Sequence, residues 1–104
     1  MVLDVRFLPN PYFVAALKEK TGLQQQVADY VLESDAAKEF LARLLPLLHY
    51  LIPMNTHEGK ASFTVAIGCT GGRHRSVAIV EQLQKQLEAE GYNGKIWHRE
   101  LEAH

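Results

Sequence analysis

One segment past the middle of the chain constrains the fold more than any other. Phe63-Thr64-Val65-Ala66-Ile67-Gly68 is a short apolar run with β-branched residues, closed by a glycine. Such a run predicts a buried central strand. Gly68-Cys69-Thr70-Gly71-Gly72-Arg73-His74-Arg75-Ser76 follows it directly. From Val77 onward the spacing is helical, with Val77, Val80, Leu83 and Leu87 inward and Glu81, Gln82, Gln84, Lys85 and Glu88 outward. Gly91 is suited to the position just past that helix. A strand, a glycine-rich loop and a helix in succession commit the chain to an α/β arrangement.

The loop itself points to a ligand. Gly71 and Gly72 let the backbone turn tightly and approach a bound group closely. The helix after it presents unpaired N–H groups and the positive end of its dipole. Thr70, Arg73, His74, Arg75 and Ser76 add donors. Together these features predict an anion site, most naturally for phosphate, at the carboxyl end of a strand. The alternative is an ordinary strand-to-helix turn with arginines facing solvent. The Walker pattern fails, because no Lys-Ser or Lys-Thr follows the glycines. Cys69, five intervening residues, Arg75 and Ser76 do match the Cys-x5-Arg-[Ser/Thr] loop of protein tyrosine phosphatases, where a thiolate attacks phosphorus. That chemistry also needs a general acid, and Asp4, Asp29 and Asp35 fall in a strand or among helices. A lone cysteine after a buried strand, as Cys69 is, is more often a small core residue.

The rest of the chain frames this unit. Val2–Leu8 predicts a strand, ended by Pro9-Asn10-Pro11. Residues 12–20 suggest a short helix stopped by Gly22, and residues 23–33 an amphipathic one on Leu23, Val27, Tyr30 and Val31. Ser34 or Asp35 caps the next helix, whose apolar residues run from Phe40 to Ile52. Pro46 is expected to kink or break it near Leu45, and Pro53-Met54-Asn55 to close it. Residues 55–62, with Gly59, read as a loop. Tyr92-Asn93-Gly94 turns the chain into a last short strand, Lys95–Arg99. The expectation is one small, three-layer-type α/β domain over residues 1–104, with a short, largely parallel sheet and flanking helices.

Composition excludes several classes. The 104 residues are 47% hydrophobic and 22% charged, with a net charge of −1. That suits a globular domain without global attraction to nucleic acid or anionic lipid. No apolar run approaches the roughly 20 residues of a membrane span. The N-terminus lacks the pattern of a signal peptide, so the chain is expected in the cytoplasm. The single cysteine rules out an internal disulfide. His49, His57, His74, His98 and His104 have no zinc-type spacing, so no metal or cofactor is expected. The leucine-rich stretch 40–52 reads as core and, with its excess of apolar faces, as a candidate subunit contact.

Two long stretches, Asp4-Val5-Arg6-Phe7-Leu8-Pro9-Asn10-Pro11 and Val65 to Val77, resemble the C-terminal domain of the RapZ/YvcJ proteins. Glu81-Gln82-Leu83 and His98-Arg99 with Leu101 fit as well. The resemblance implies a fold related to a sugar-phosphate-binding part of phosphofructokinase, and oligomerisation. It implies an adaptor that binds small regulatory RNA, presents it to an endoribonuclease, and senses glucosamine-6-phosphate. Nucleotide hydrolysis in that family belongs to an N-terminal Walker-type domain absent from this chain, so no catalytic activity is expected here. The sugar-phosphate role maps onto Thr70, Gly71, His74 and Arg75, beside Gly72 and Ser76. Enteric members have a histidine where this chain has Tyr12, and end in a lysine–arginine cluster where it ends Leu101-Glu102-Ala103-His104. Its remaining RNA-binding candidates are Arg73, Lys95, His98 and Arg99, with Trp97 as a stacking surface, which implies weak RNA affinity.

Overall fold

The computed structural model describes residues 1–57 and 63–102. Its elements run β1 (Val2–Asp4), a 3-10 turn (Pro11–Phe13), α1 (Gln25–Leu32), α2 (Asp35–His57), β2 (Ala66–Gly68), α3 (Arg75–Ala89) and α4 (Arg99–Glu102). The two strands pair in parallel, Val2 with Ala66, Leu3 with Ile67 and Asp4 with Gly68. The class is α/β, as the sequence predicts.

Both strands are shorter than their apolar runs. The Val5 N–H still bonds the Gly68 carbonyl (2.8 Å), but the Leu8 N–H then turns back to the Val5 carbonyl (3.1 Å). Asp4 drives this bend, accepting from the Arg6 N–H (2.9 Å) and Arg6 Nε (2.7 Å). Val5 and Leu8 are thereby delivered to the core rather than to a ladder. That core joins them to Val31, Ala37, Leu41, Leu44, Leu48, Ala78, Ile79 and Leu83.

Residues 12–20 do not form the expected helix. Asn10 Oδ1 accepts the Tyr12 N–H (3.1 Å) and starts only the 3-10 turn, with buried Pro11 at its first position. Isolated turns continue to Lys20. Ser34 does cap α2, its Oγ accepting the Ala37 N–H (3.2 Å).

α2 runs unbroken through Pro46 and Pro53, against the expected break near Leu45 and stop at Pro53. Both prolines are exposed. The lost N–H donors cost little on that side, and Leu41, Leu44 and Leu48 hold the helix to the core on either side of Pro46. Of the loop expected over 55–62, residues 55–57 are helical; residues 58–62 lie outside the described residues, as do Ala103 and His104.

α3 ends as expected, the Gly91 and Tyr92 N–H groups closing on the Glu88 and Leu87 carbonyls (both 3.0 Å). Its inward face also includes Ile79, fully buried, whereas Val80 is partly exposed. The third strand does not form. Gln84 Nε2 bonds the Gly94 carbonyl (2.9 Å) and His98 Nε2 bonds Glu81 (2.9 Å), so side chains of α3 hold residues 94–98 in place of a ladder, and Arg99 opens α4. A cavity of about 820 Å³ separates this segment from β2, lined by Val65, Ile67, Leu87, Tyr92 and Ile96 among others.

The first turn of α3 is seated on Gly22. The Gly22 N–H bonds the Arg73 carbonyl (2.8 Å), and a Cβ there would lie 2.5 Å from the His74 carbonyl oxygen and 2.6 Å from the Ala78 nitrogen. Gly22 is therefore a point of backbone contact, more than the helix stop its sequence position suggests. Gly22→Ala is expected to lose about 1–3 kcal/mol of stability, as overpacking against backbone does. Chemical denaturation checks this, and an unchanged midpoint would contradict the contact.

Candidate functional site

The strands are parallel, so Asp4–Arg6 leaves β1 at the same edge where residues 69–74 leave β2. Open α/β sheets bind ligands at that edge. The connection turns through Gly71 (φ +81°) and Gly72 (φ +64°), a conformation that strains other L-residues. α3 begins at Arg75, and no side chain caps it. The N–H groups of Thr70, Gly71, Gly72 and His74 donate to no acceptor among the described residues. The arrangement is a cluster of open amides at the positive end of a helix.

The predicted side chains divide by location. Thr70 and Gly71 are exposed, Gly72 and Arg73 half-buried, and His74, Arg75 and Ser76 buried. Arg75 reaches back under the sheet edge, where Nη1 donates to the carbonyls of Arg6 (2.7 Å) and Leu8 (3.4 Å). Its Nε is buried without a hydrogen-bond partner. His74 Nε2 donates to the Lys18 carbonyl (3.1 Å). A carbonyl can only accept, so this bond fixes the proton on Nε2. The Cys69 thiol donates to Ser76 Oγ and accepts the Ser76 N–H, both at 3.3 Å. Cys69 and Ser76 thus close the base of the loop.

The acid at this edge is paired. Asp4 is the nearby acid on β1, and Arg6 holds its carboxyl below the ordinary value, first through the guanidinium bond and then through the Arg6 N–H. The charge of Arg75 adds a smaller push in the same direction. The 820 Å³ cavity mixes apolar walls with Asn55, Thr64, Gln84 and Asn93, and carries one cation among the described residues, Lys95, on its lining.

The four RNA-binding candidates do not all behave alike. Lys95 and Arg99 are exposed, as is Trp97, whereas His98 is committed to Glu81 with a side chain only 10% exposed. Arg73 lies on the loop itself, apart from that segment. Tyr12 is exposed, with Lys18 Nζ 4.5 Å from its ring centre, on the stretch that His74 grips.

Sequence reasoning missed three participants. Gly22 and Lys18 act through their backbones, which no side-chain pattern reveals. Glu100 packs against Gly72, since a Cβ on that glycine would meet Glu100 Cγ at 2.6 Å. An acidic residue near the chain's end carries no signal of such a contact.

Comparison with known proteins gives the family. The family model described as the RapZ C-terminal domain matches residues 1–102. A nucleotide-binding protein of Caldicellulosiruptor bescii is 51% identical over 102 residues, which are 98% of this chain and 35% of the relative. Nucleotide-binding proteins of Anaeromyxobacter dehalogenans and Geobacter sulfurreducens are each 52% identical over 102 residues, 35% and 36% of their lengths. This chain thus spans about a third of the relatives it matches. With the whole motif from Val65 to Val77 on one strand-loop-helix unit and the match extending from Met1 to Glu102, the chain belongs to the RapZ C-terminal domain family.

Proposed function

We propose that this domain is a metabolite-sensing, RNA-adaptor-type module that binds a sugar phosphate on residues 70–76, with glucosamine-6-phosphate as the first candidate. The observation that carries this reading is the group of open amides of Thr70, Gly71, Gly72 and His74 at the uncapped start of α3. Phosphate oxygens are well matched to such donors. Arg75 supports it indirectly, because its bonds to the Arg6 and Leu8 carbonyls hold the start of α3 beneath the loop. His74 and Ser76 hold the loop in shape. Tyr12, on the stretch whose Lys18 carbonyl bonds His74, stands where enteric members carry a histidine and would take that residue's part toward the sugar.

The remaining parts of the reading follow from family membership. An RNA contact would use Arg73, Lys95 and Arg99 with Trp97, and an endoribonuclease and further copies of the chain would be the protein partners. Cytoplasmic residence suits such a role, and among the described residues no helix is long and apolar enough to cross a membrane. Cys69 is given no catalytic part. Its thiol is engaged with Ser76, and the Nη1 donor of Arg75 is occupied by main-chain carbonyls.

Calorimetric titration with glucosamine-6-phosphate tests the site. Arg75→Ala should weaken binding by about 1.5–3 kcal/mol, the scale of a charge-assisted hydrogen bond. Arg75 also ties α3 to β1, so Gly71→Ala serves as the gentler variant. A Cβ there meets nothing within 4 Å, leaving only a backbone strain of about 1–2 kcal/mol and re-aimed amides. Equal affinity in wild type and both variants would contradict the assignment.

The phosphatase alternative makes the opposite forecast for a small aryl phosphate. No turnover above background is expected, and release of phosphate that disappears in Cys69→Ser would overturn the adaptor reading. For a structured small RNA, filter binding should give micromolar or weaker affinity with a shallow salt dependence, given so few free cations. Nanomolar affinity with a steep slope would place the RNA on another surface.

A further inference from the structure

Glu100 sits where an anion site would least be expected to hold it. Its Cγ and Cβ would lie 2.6 Å and 3.3 Å from a Cβ on Gly72, so the side chain fills the space that this glycine leaves open. Gly72 is in the left-handed turn that presents the open amides. Glu100 is exposed and makes no hydrogen bond or ion pair among the described residues. Its methylenes therefore pack on Gly72, with the carboxyl carbon 3.9 Å from the same Cβ position and its charge without a committed partner among the described residues.

The segment that carries Glu100 is lightly held. Residues 94–101 are fixed by the Gln84–Gly94 bond (2.9 Å), the His98–Glu81 bond (2.9 Å) and the turn from Leu101 N–H to the His98 carbonyl (3.1 Å). Lys95, Trp97 and Arg99 project to solvent between and beside these anchors.

We propose that Glu100 is a built-in competitor at the loop, displaced together with α4 when a phosphate group binds at residues 70–74. This deepens the sugar-phosphate reading and rests on it. A phosphate monoester brings one to two negative charges to the amides beside Gly72. Two like charges at close range on a half-exposed edge repel, and the weaker-held partner leaves. Loop occupancy is thereby coupled to the position of Lys95, Trp97 and Arg99. The coupling is reciprocal: whatever draws that segment away strengthens anion binding by the same factor.

Inorganic phosphate is the probe, titrated by calorimetry into wild type and Glu100→Gln, with emission of Trp97, the chain's single tryptophan, followed in parallel. Glu100→Gln should bind about five- to tenfold more tightly, the scale of removing one like charge from a partly solvated site. In wild type, Trp97 emission should change with the same midpoint as binding. Equal affinity in the two proteins would overturn the competitor role while leaving the loop as an anion site. Tighter binding with a silent Trp97 would overturn the displacement of α4. Absence of binding by either protein, to inorganic phosphate and to glucosamine-6-phosphate alike, would remove the loop reading and this inference with it.

Discussion

The Arg75 guanidinium is the tie on which the site edge depends. From the first turn of α3 it reaches the carbonyls of Arg6 and Leu8, just past β1. β1 and β2 are each three residues long, and their ladder alone would hold the edge weakly. The arginine adds a charge-assisted clamp between the loop after β2 and the turn after β1. Gly22 meets the same helix start from another side, through its N–H to the Arg73 carbonyl. With His74 on Lys18 and Ser76 on Cys69, the start of α3 is fixed from four directions. These bonds hold the glycine-rich turn from beneath while the amides of Thr70, Gly71, Gly72 and His74 stay without acceptors among the described residues.

Much of this was legible in the sequence, and the parts that were not share a cause. The strand-loop-helix unit at 63–89 follows from periodicity and the paired glycines, and Gly91 from its place after the last apolar turn. The unbroken α2 was not legible. Proline's local penalty argues for a break at Pro46, and only the burial of Leu41, Leu44 and Leu48 outweighs it. The third strand failed in the same way. Lys95–Arg99 has strand-like residues, but Gln84 and Glu81 on α3 supply the hydrogen bonds that hold the segment. The inward turn of Arg75 is another tertiary fact: a basic residue in a phosphate-type loop reads as a ligand clamp, and its bonds to main-chain carbonyls become visible only in three dimensions.

The site therefore divides its labour between backbone and side chains. The amides of Thr70, Gly71, Gly72 and His74 have no acceptor among the described residues, and the buried side chains of His74, Arg75 and Ser76 secure the turn that carries them. Glu100 then packs its side chain against Gly72 on that turn. Such a division would let a chain with a net charge of −1 bind an anion locally, as proposed.

The central claim is that the loop, rather than the cavity beside β2, is where a phosphate group binds. Amide chemical shifts followed during titration with phosphate test it most directly, because each N–H reports separately. Saturable shifts centred on Thr70, Gly71, Gly72 and His74, with little change at Val65, Leu87 and Tyr92, are the predicted result. Shifts centred on the residues lining the cavity, with the loop amides unmoved, would contradict it.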